Sequence, residues 1–153
     1  MDDGIIRSIV ESTTDVFSTM ISIELDKNPA PKAESDLQQC QIMAMVGLAG
    51  RSMGILSFHC TPQTGITITS NMLGSPVTTL DDDVKDAVGE VANMIAGNFK
   101  TRMSRLGQSF DLSVPTVVVG ERFSTRTMTD APTVVLQFQG GGHTVYVKLN
   151  YKT

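Results

Sequence analysis

The sequence is poor in residues that several large protein classes need. It has no tryptophan, aromatic residues make up 5% of the chain, and its 153 residues include only two cysteines, Cys40 and Cys60. So few aromatic side chains argue against the stacking platforms that bind single-stranded nucleic acid. Two cysteines cannot build a disulfide framework or complete a zinc site alone. We expect both to be buried, inert thiols in strands.

An excess of basic charge and long hydrophobic runs are also missing. The 12 Lys and Arg against 16 Asp and Glu give a net charge of -4 at pH 7. General nucleic-acid binding is therefore not expected, since it needs clustered basic residues. No apolar stretch approaches the roughly 18 residues that span a bilayer. The opening Met1-Asp2-Asp3 lacks the positive start of a signal peptide, so we expect a cytoplasmic protein.

What the chain does contain is enough apolar sequence to form a core. Hydrophobic residues make up 41% and charged residues 18%, a balance typical of a globular domain. No linker rich in Pro, Gly or Ser divides the sequence, so we predict one domain over residues 1–153. A small enzyme, a binding module and a subunit of a larger assembly all remain open.

Hydrophobic spacing predicts three helices. The first runs from Asp3 to about Met20, and the third from Leu80 to about Leu106. Thr79 and Asp82 fit a capping start signal for the third helix, and Gly107 is its expected stop.

The second helix, Thr61–Leu73, is ambiguous from sequence. Its residues 66–69 alternate like a β-branched strand. Thr61 followed by Pro62 is typical of a helix start, however, and Gly74 of a helix end. We favour a short helix.

Strands account for the remaining apolar segments. They are Gln41–Leu48, Met53–Cys60, Phe110–Val114, Thr116–Val119, Thr133–Gln139 and Thr144–Tyr151. Turn residues at 50–52 and 140–142 join the first and last pairs into hairpins. The fold class is therefore α+β: a mostly antiparallel sheet of about six strands with three helices packed on it.

The third helix carries an unusual polar face. At about 100° per residue, one side collects apolar residues for the core: Val84, Val88, Val91, Ile95, Phe99 and Leu106. Asp86, Glu90, Asn93 and Gly97 fall on the opposite side. Glycine inside a helix lowers the stability of the helix by about 1 kcal/mol relative to alanine, so we expect Gly97 to have a specific role. It either leaves a notch for a partner or lets the helix pack closely on its own core. An ordinary solvated face also fits Glu90 and Asn93.

At this helix the sequence resembles a known family. Residues 86–100, DAVGEVANMIAGNFK, look like the signature helix of the CheX branch of the CheC/CheX/FliY phosphatases, which hydrolyse the aspartyl phosphate of CheY-type response regulators. The flanking stretches at 72–74, MLG, and 112–120, LSVPTVVVG, are similar too. The resemblance covers roughly residues 5–150 and implies the CheC/CheX-like fold.

The resemblance also implies a site and partners. It makes Glu90 and Asn93 the catalytic pair on a helix that docks a phosphorylated CheY-like receiver domain. Asp86 and Gly97 lie on the same helix face by their spacing, so we expect them to contact that partner. It implies a homodimer through sheet edges, no cofactor held by this chain, and Mg²⁺ in the regulator's own pocket. Glu11 and Thr14 form a faint echo of the pair in the first helix, without the asparagine, which resembles the CheX pattern of one site per subunit.

Other polar residues are weaker candidates. Asp81, Asp82 and Asp83 are interpreted as a helix-capping run rather than a metal site, and His59 and His143 lack a ligand pattern. The leading hypothesis is thus a response-regulator phosphatase. The alternative is a non-catalytic receiver-binding or scaffold module of the same fold.

Overall fold

Seven strands pair in one antiparallel sheet within residues 1–120 and 130–153, the parts of the chain that this computed structural model describes. The helices, which bury the main core against one face of the sheet, are α1 (Asp3–Val16, continued by a π-helical turn, Phe17–Ile21), α2 (Pro62–Leu73) and α3 (Asp82–Arg105). The strands are β1 (Ala30–Lys32), β2 (Ile42–Gly50), β3 (Met53–Cys60), β4 (Phe110–Leu112), β5 (Thr116–Val119), β6 (Thr133–Gly140) and β7 (His143–Lys152). The predicted α+β class is confirmed.

The strand order is β1-β6-β7-β3-β2-β4, with β5 also paired to β2. Both predicted hairpins are present: Leu48 pairs with Gly54 across β2 and β3, and Gly140 pairs with His143 across β6 and β7. The second hairpin turns through two glycines at φ of 58° and 78°, a region that L side chains rarely adopt.

Capping residues fix the ends of α2 and α3. The hydroxyl oxygen of Thr61 accepts a hydrogen bond from the backbone N–H of Thr64 at 3.3 Å, and α2 ends at Gly74 with φ of 70°. The helix preferred from sequence is therefore confirmed. The predicted capping pair of α3 is wrong, because its N-cap is Asp81, whose carboxylate accepts from the N–H groups of Asp83 and Val84 at 3.0 and 3.3 Å.

The second face of the sheet is covered in part by a segment that the sequence did not reveal. A 3-10 helix, Glu34–Gln39, follows β1, and Leu37 and Cys40 pack with Val135 and Tyr146 in a small cluster. Cys40 thus lies before β2, and its predicted place in a strand is wrong. Strand β7 is buried on both faces as a result.

Helix α3 lies between α1 and α2 and crosses β2 and β3. The Phe99 ring packs against Phe110 and Tyr151, with centroids 5.8 and 5.6 Å apart. Leu106 departs from prediction: it is 56% exposed because it is the C-cap, where the chain leaves the helix. No helix in the described residues is long and apolar enough to cross a membrane.

Candidate functional site

The face of α3 that points away from the core carries the residues expected from its angular pattern. Asp86 and Glu90 are exposed, and Asn93 and Gly97 are partly exposed. On the opposite side of the helix, residues 88, 91 and 95 have no exposed surface. The buried side holds the helix in place, so the polar side chains project from a fixed backbone.

The side chains of Glu90 and Asn93 have no hydrogen-bond or ion-pair partner within the described parts of the chain. Some other polar residues of α3 do have partners. Lys85 pairs with Asp82 at 3.8 Å, and Lys100 with Asp111 at 3.6 Å. A carboxylate and an amide one helical turn apart are therefore free to bind a partner molecule.

Gly97 lies beside open space. A Cβ built at this position meets nothing within 4 Å. The interpretation that Gly97 allows α3 to pack on its own core is therefore wrong. That role belongs to Gly89, which the sequence analysis missed: a Cβ there would lie 3.0 Å from Cγ2 of Val117 on β5. Gly89 borders the buried side of the helical wheel, and this position could have indicated that α3 packs closely there.

A groove of about 650 Å³ runs beside this face, between α3 and the end of α1. Its lining residues are Val16, Thr19, Met20, Asn93, Met94, Gly97, Asn98, Thr101, Arg102 and Arg105. Asn93 and Gly97 thus form part of a wall, and Glu90 lies one turn beyond it. The opposite wall contains Met20, which the sequence predicted at the end of the first helix but not as part of a site, and this segment is a π-helical turn.

Arg102 joins the two walls of the groove. Its Nη1 donates to Glu11 at 2.6 Å, its Nη2 to Asp15, and its Nε to Asn98 at 2.8 Å. Thr14 is buried and donates to the Glu11 carbonyl at 3.3 Å. Glu11 thus serves the contact between α1 and α3, and Thr14 bonds within α1, so both residues differ from Glu90 and Asn93 in having partners for their side chains.

The histidines lie elsewhere in internal contacts. His59 is fully buried on β3 and is hydrogen-bonded through Nε2 to the Ser57 hydroxyl at 2.8 Å. Burial, with a smaller effect from the positive charge of Lys148, lowers the pKa of His59 to about 4. His143 is hydrogen-bonded to Thr64 at 2.9 Å.

The remaining candidates for chemistry are the thiols and the aspartate run. Burial raises the pKa of the Cys40 thiol to about 12 and also raises that of Cys60, so neither thiol is ionised near neutral pH. Within residues 1–120 and 130–153 no group of three or more His, Cys, Asp or Glu is arranged to hold a metal.

The chain is similar to proteins of a known family. The family model described as chemotaxis phosphatase CheX matches residues 42–139, which include all of α3. The chain belongs to the CheX family. It is 28% identical over 122 residues to the CheY-P phosphatase CheX of Thermotoga maritima, covering 78% of each chain.

Solved structures agree with the fold. A chemotaxis protein CheX from Desulfovibrio desulfuricans is 29% identical with a TM-score of 0.82, and the match covers 97% of this chain and 99% of that one. The CheX chain from the CheX-CheY-BeF3-Mg²⁺ complex of Borrelia burgdorferi is 24% identical with a TM-score of 0.77, over 97% and 98%. The CheC/CheX-like fold expected from the sequence is confirmed.

Proposed function

We propose that this CheX-family chain docks a phosphorylated CheY-type receiver domain and hydrolyses its aspartyl phosphate by positioning a water with Asn93. Family membership supports the class of reaction. The observation that carries the assignment of the residue is the free amide of Asn93, held on a packed helix at the edge of a groove.

The chemistry suits an amide. An acyl phosphate is already activated, so its hydrolysis depends on a correctly aimed water and on charge stabilisation more than on a strong base. The amide of Asn93 can accept from and donate to that water without adding charge. The proposed step requires no group on α3 to gain or lose a proton.

Glu90 has a different role in this proposal. A carboxylate beside the phosphoryl oxygens is repelled unless a cation lies between them. The resemblance to the CheC/CheX/FliY phosphatases implies a lysine in the regulator's active site, which would supply that cation, and Mg²⁺ would stay in the regulator's acidic pocket. Glu90 then fixes the register of the complex, and Asp86, one turn earlier and also exposed, adds to the same acidic surface.

We also propose that residues 1–153 act as one phosphatase domain in the cytoplasm and pair with a second copy through sheet edges. At the edge formed by β4 and β5, Val114 in the connection between the two strands is 85% exposed, and Val119 on β5 is 38% exposed. Exposed apolar side chains at a sheet edge favour pairing with another strand. Light scattering tests this: a monomeric mass at micromolar concentration would exclude the dimer.

The decisive experiment follows the loss of phosphate from phosphorylated receivers with wild type and Asn93→Ala. We expect the variant to lose nearly all stimulated dephosphorylation and to keep binding, because positioning a water matters most in the transition state. Ser104→Ala, exposed on the same helix, is the control. A proportional loss of binding and rate would contradict the role of Asn93. A wild type that binds without accelerating the reaction would favour the non-catalytic module.

The role of Glu90 is tested by affinity and salt. Glu90→Gln should bind the phosphorylated receiver more weakly and with a smaller salt dependence than wild type, because one ion pair is lost. Glu24→Gln makes the same change of charge at an exposed position outside the site. Equal affinity and salt dependence for Glu90→Gln and wild type would remove the case for the ion pair.

A further inference from the structure

Met20 stands on the wall of the groove opposite Asn93. It lies in the π-helical turn after α1 and is 52% exposed. It lines the groove together with Met94, the neighbour of Asn93 on α3. Methionine side chains are flexible and polarisable, and they recur on surfaces that receive apolar groups of a partner.

The π-helical turn is held firmly, which fixes the position of Met20. Its neighbours Phe17 and Ile21 are buried, at 1% and 0% exposure. The backbone N–H of Ile23 donates to the Phe17 carbonyl at 3.0 Å, and the Asn71 amide donates to the Ile21 carbonyl at 3.0 Å. Short π-helical segments occur frequently at functional sites.

Several polar groups of the groove are occupied by internal contacts, whereas the side chains of Asn93 and Arg105 have no partner within the described parts of the chain. Asn98 accepts from Arg102, and the Thr101 hydroxyl donates to the Gly97 carbonyl at 3.2 Å. The guanidinium of Arg102 is paired with two carboxylates of α1. The accessible apolar surface of the groove comes mainly from Met20 and the partly exposed Met94, with open space at Gly97.

We infer that this groove receives an apolar side chain of the receiver domain, next to the phosphorylated aspartate, and that Met20 determines which receivers fit. The inference rests on the proposed function, because the groove is continuous with Asn93. Met20 touches the partner at a distance from the reacting atoms. It therefore governs affinity and selectivity between receivers and leaves the aim of the water to Asn93.

The test compares Met20→Ala, Met20→Asp and Met20→Leu in the full chain. Met53 is the matched control: it is also a methionine, 53% exposed, but lies on β3 in the sheet. Affinity is measured against CheY-type receivers carrying beryllofluoride and Mg²⁺, and kcat and KM against the phosphorylated receivers. Thermal unfolding verifies that each variant folds.

We expect Met20→Ala to raise KM and Kd about tenfold, the order expected when one apolar side chain loses its buried contact, with little change in kcat. Met20→Asp should bind the receiver more weakly still, and Met20→Leu should restore most of the affinity. Met53→Asp should match wild type in both KM and Kd.

Three outcomes would overturn the inference in distinguishable ways. If wild type is active and Met20→Asp matches it, the groove does not contact the receiver. If Met20→Asp instead dissociates a dimer of this chain and leaves KM unchanged, the groove binds a second copy. If wild type neither binds nor dephosphorylates any receiver, the proposed function fails, and the inference fails with it.

Discussion

Replacing Gly97 separates stability from function on the same helix. Alanine is favoured over glycine inside a helix by about 1 kcal/mol, and a Cβ at 97 meets no atom within 4 Å, so no clash offsets that gain. We expect Gly97→Ala to raise the free energy of unfolding by about 0.5–1 kcal/mol, or Tm by about 1–4 °C for a chain of this length. If the notch exists for the receiver, the same variant must lose phosphatase activity.

Gly97→Leu extends the series. The leucine side chain would project into the space that the receiver needs, and a misplacement of about 1 Å can cost about 100-fold in rate. We therefore expect kcat/KM to fall from wild type to Gly97→Ala to Gly97→Leu, while all three remain folded.

Gly89→Ala is the matched control for stability, because its Cβ would press on Val117 at 3.0 Å. The helical gain there is offset by crowding, so Gly89→Ala should stabilise the chain less than Gly97→Ala. Urea unfolding and a phosphate-release assay measure the two quantities separately. Lower stability in Gly97→Ala would refute the open notch, and unchanged activity in Gly97→Leu would refute the approach of a partner.

Two further predictions concern the support of the site and the buried histidine. Arg102→Met should lower the free energy of unfolding by about 1–2 kcal/mol, because the guanidinium is mostly buried but its two carboxylate partners are half-exposed and screened. Lys100→Met breaks only an exposed pair and should therefore lower the free energy of unfolding much less. Equal losses in urea unfolding would contradict this prediction. As pH falls from 6.5 to about 4, the unfolded chain takes up a proton at His59 that the folded chain does not, so the free energy of unfolding should fall by about 3 kcal/mol over that range. His59→Gln should lack that part of the fall, and an identical pH profile would refute the lowered pKa.

Local signals were enough to predict most elements of the fold. The Thr-Pro start and Gly stop of α2 outweighed the strand-like alternation of residues 66–69, because satisfying the free N–H groups of a helix end is a specific requirement. The glycines between β6 and β7 predicted a hairpin since its turn demands positive φ. The polar face of α3 followed from its helical period alone.

The parts that escaped prediction depend on contacts distant in sequence. Strand β1 is three residues long and contains proline, and it is a strand only because it pairs with β6. Helix α3 starts at the N-cap Asp81 instead of Thr79, because both residue types cap helices well and the sequence pattern does not choose between positions two residues apart. The first helix was predicted to run to about Met20, but the π-helical form of its last turn and the place of Met20 opposite Asn93 were not predicted, because they depend on packing against other parts of the chain.

The arrangement of α3 explains how this site can serve a positioning mechanism. Its inner side is fixed by fully buried residues and by Gly89, which lets the helix lie close to β5. On its outer side, the side chains of Glu90 and Asn93 make no polar contact within the described parts of the chain. A glycine therefore occurs on each side of the helix for opposite reasons. Gly89 lets the helix lie close to the protein's own sheet, and Gly97 leaves room for the receiver domain. Asn93 is proposed to position the water that attacks the phosphate of that receiver.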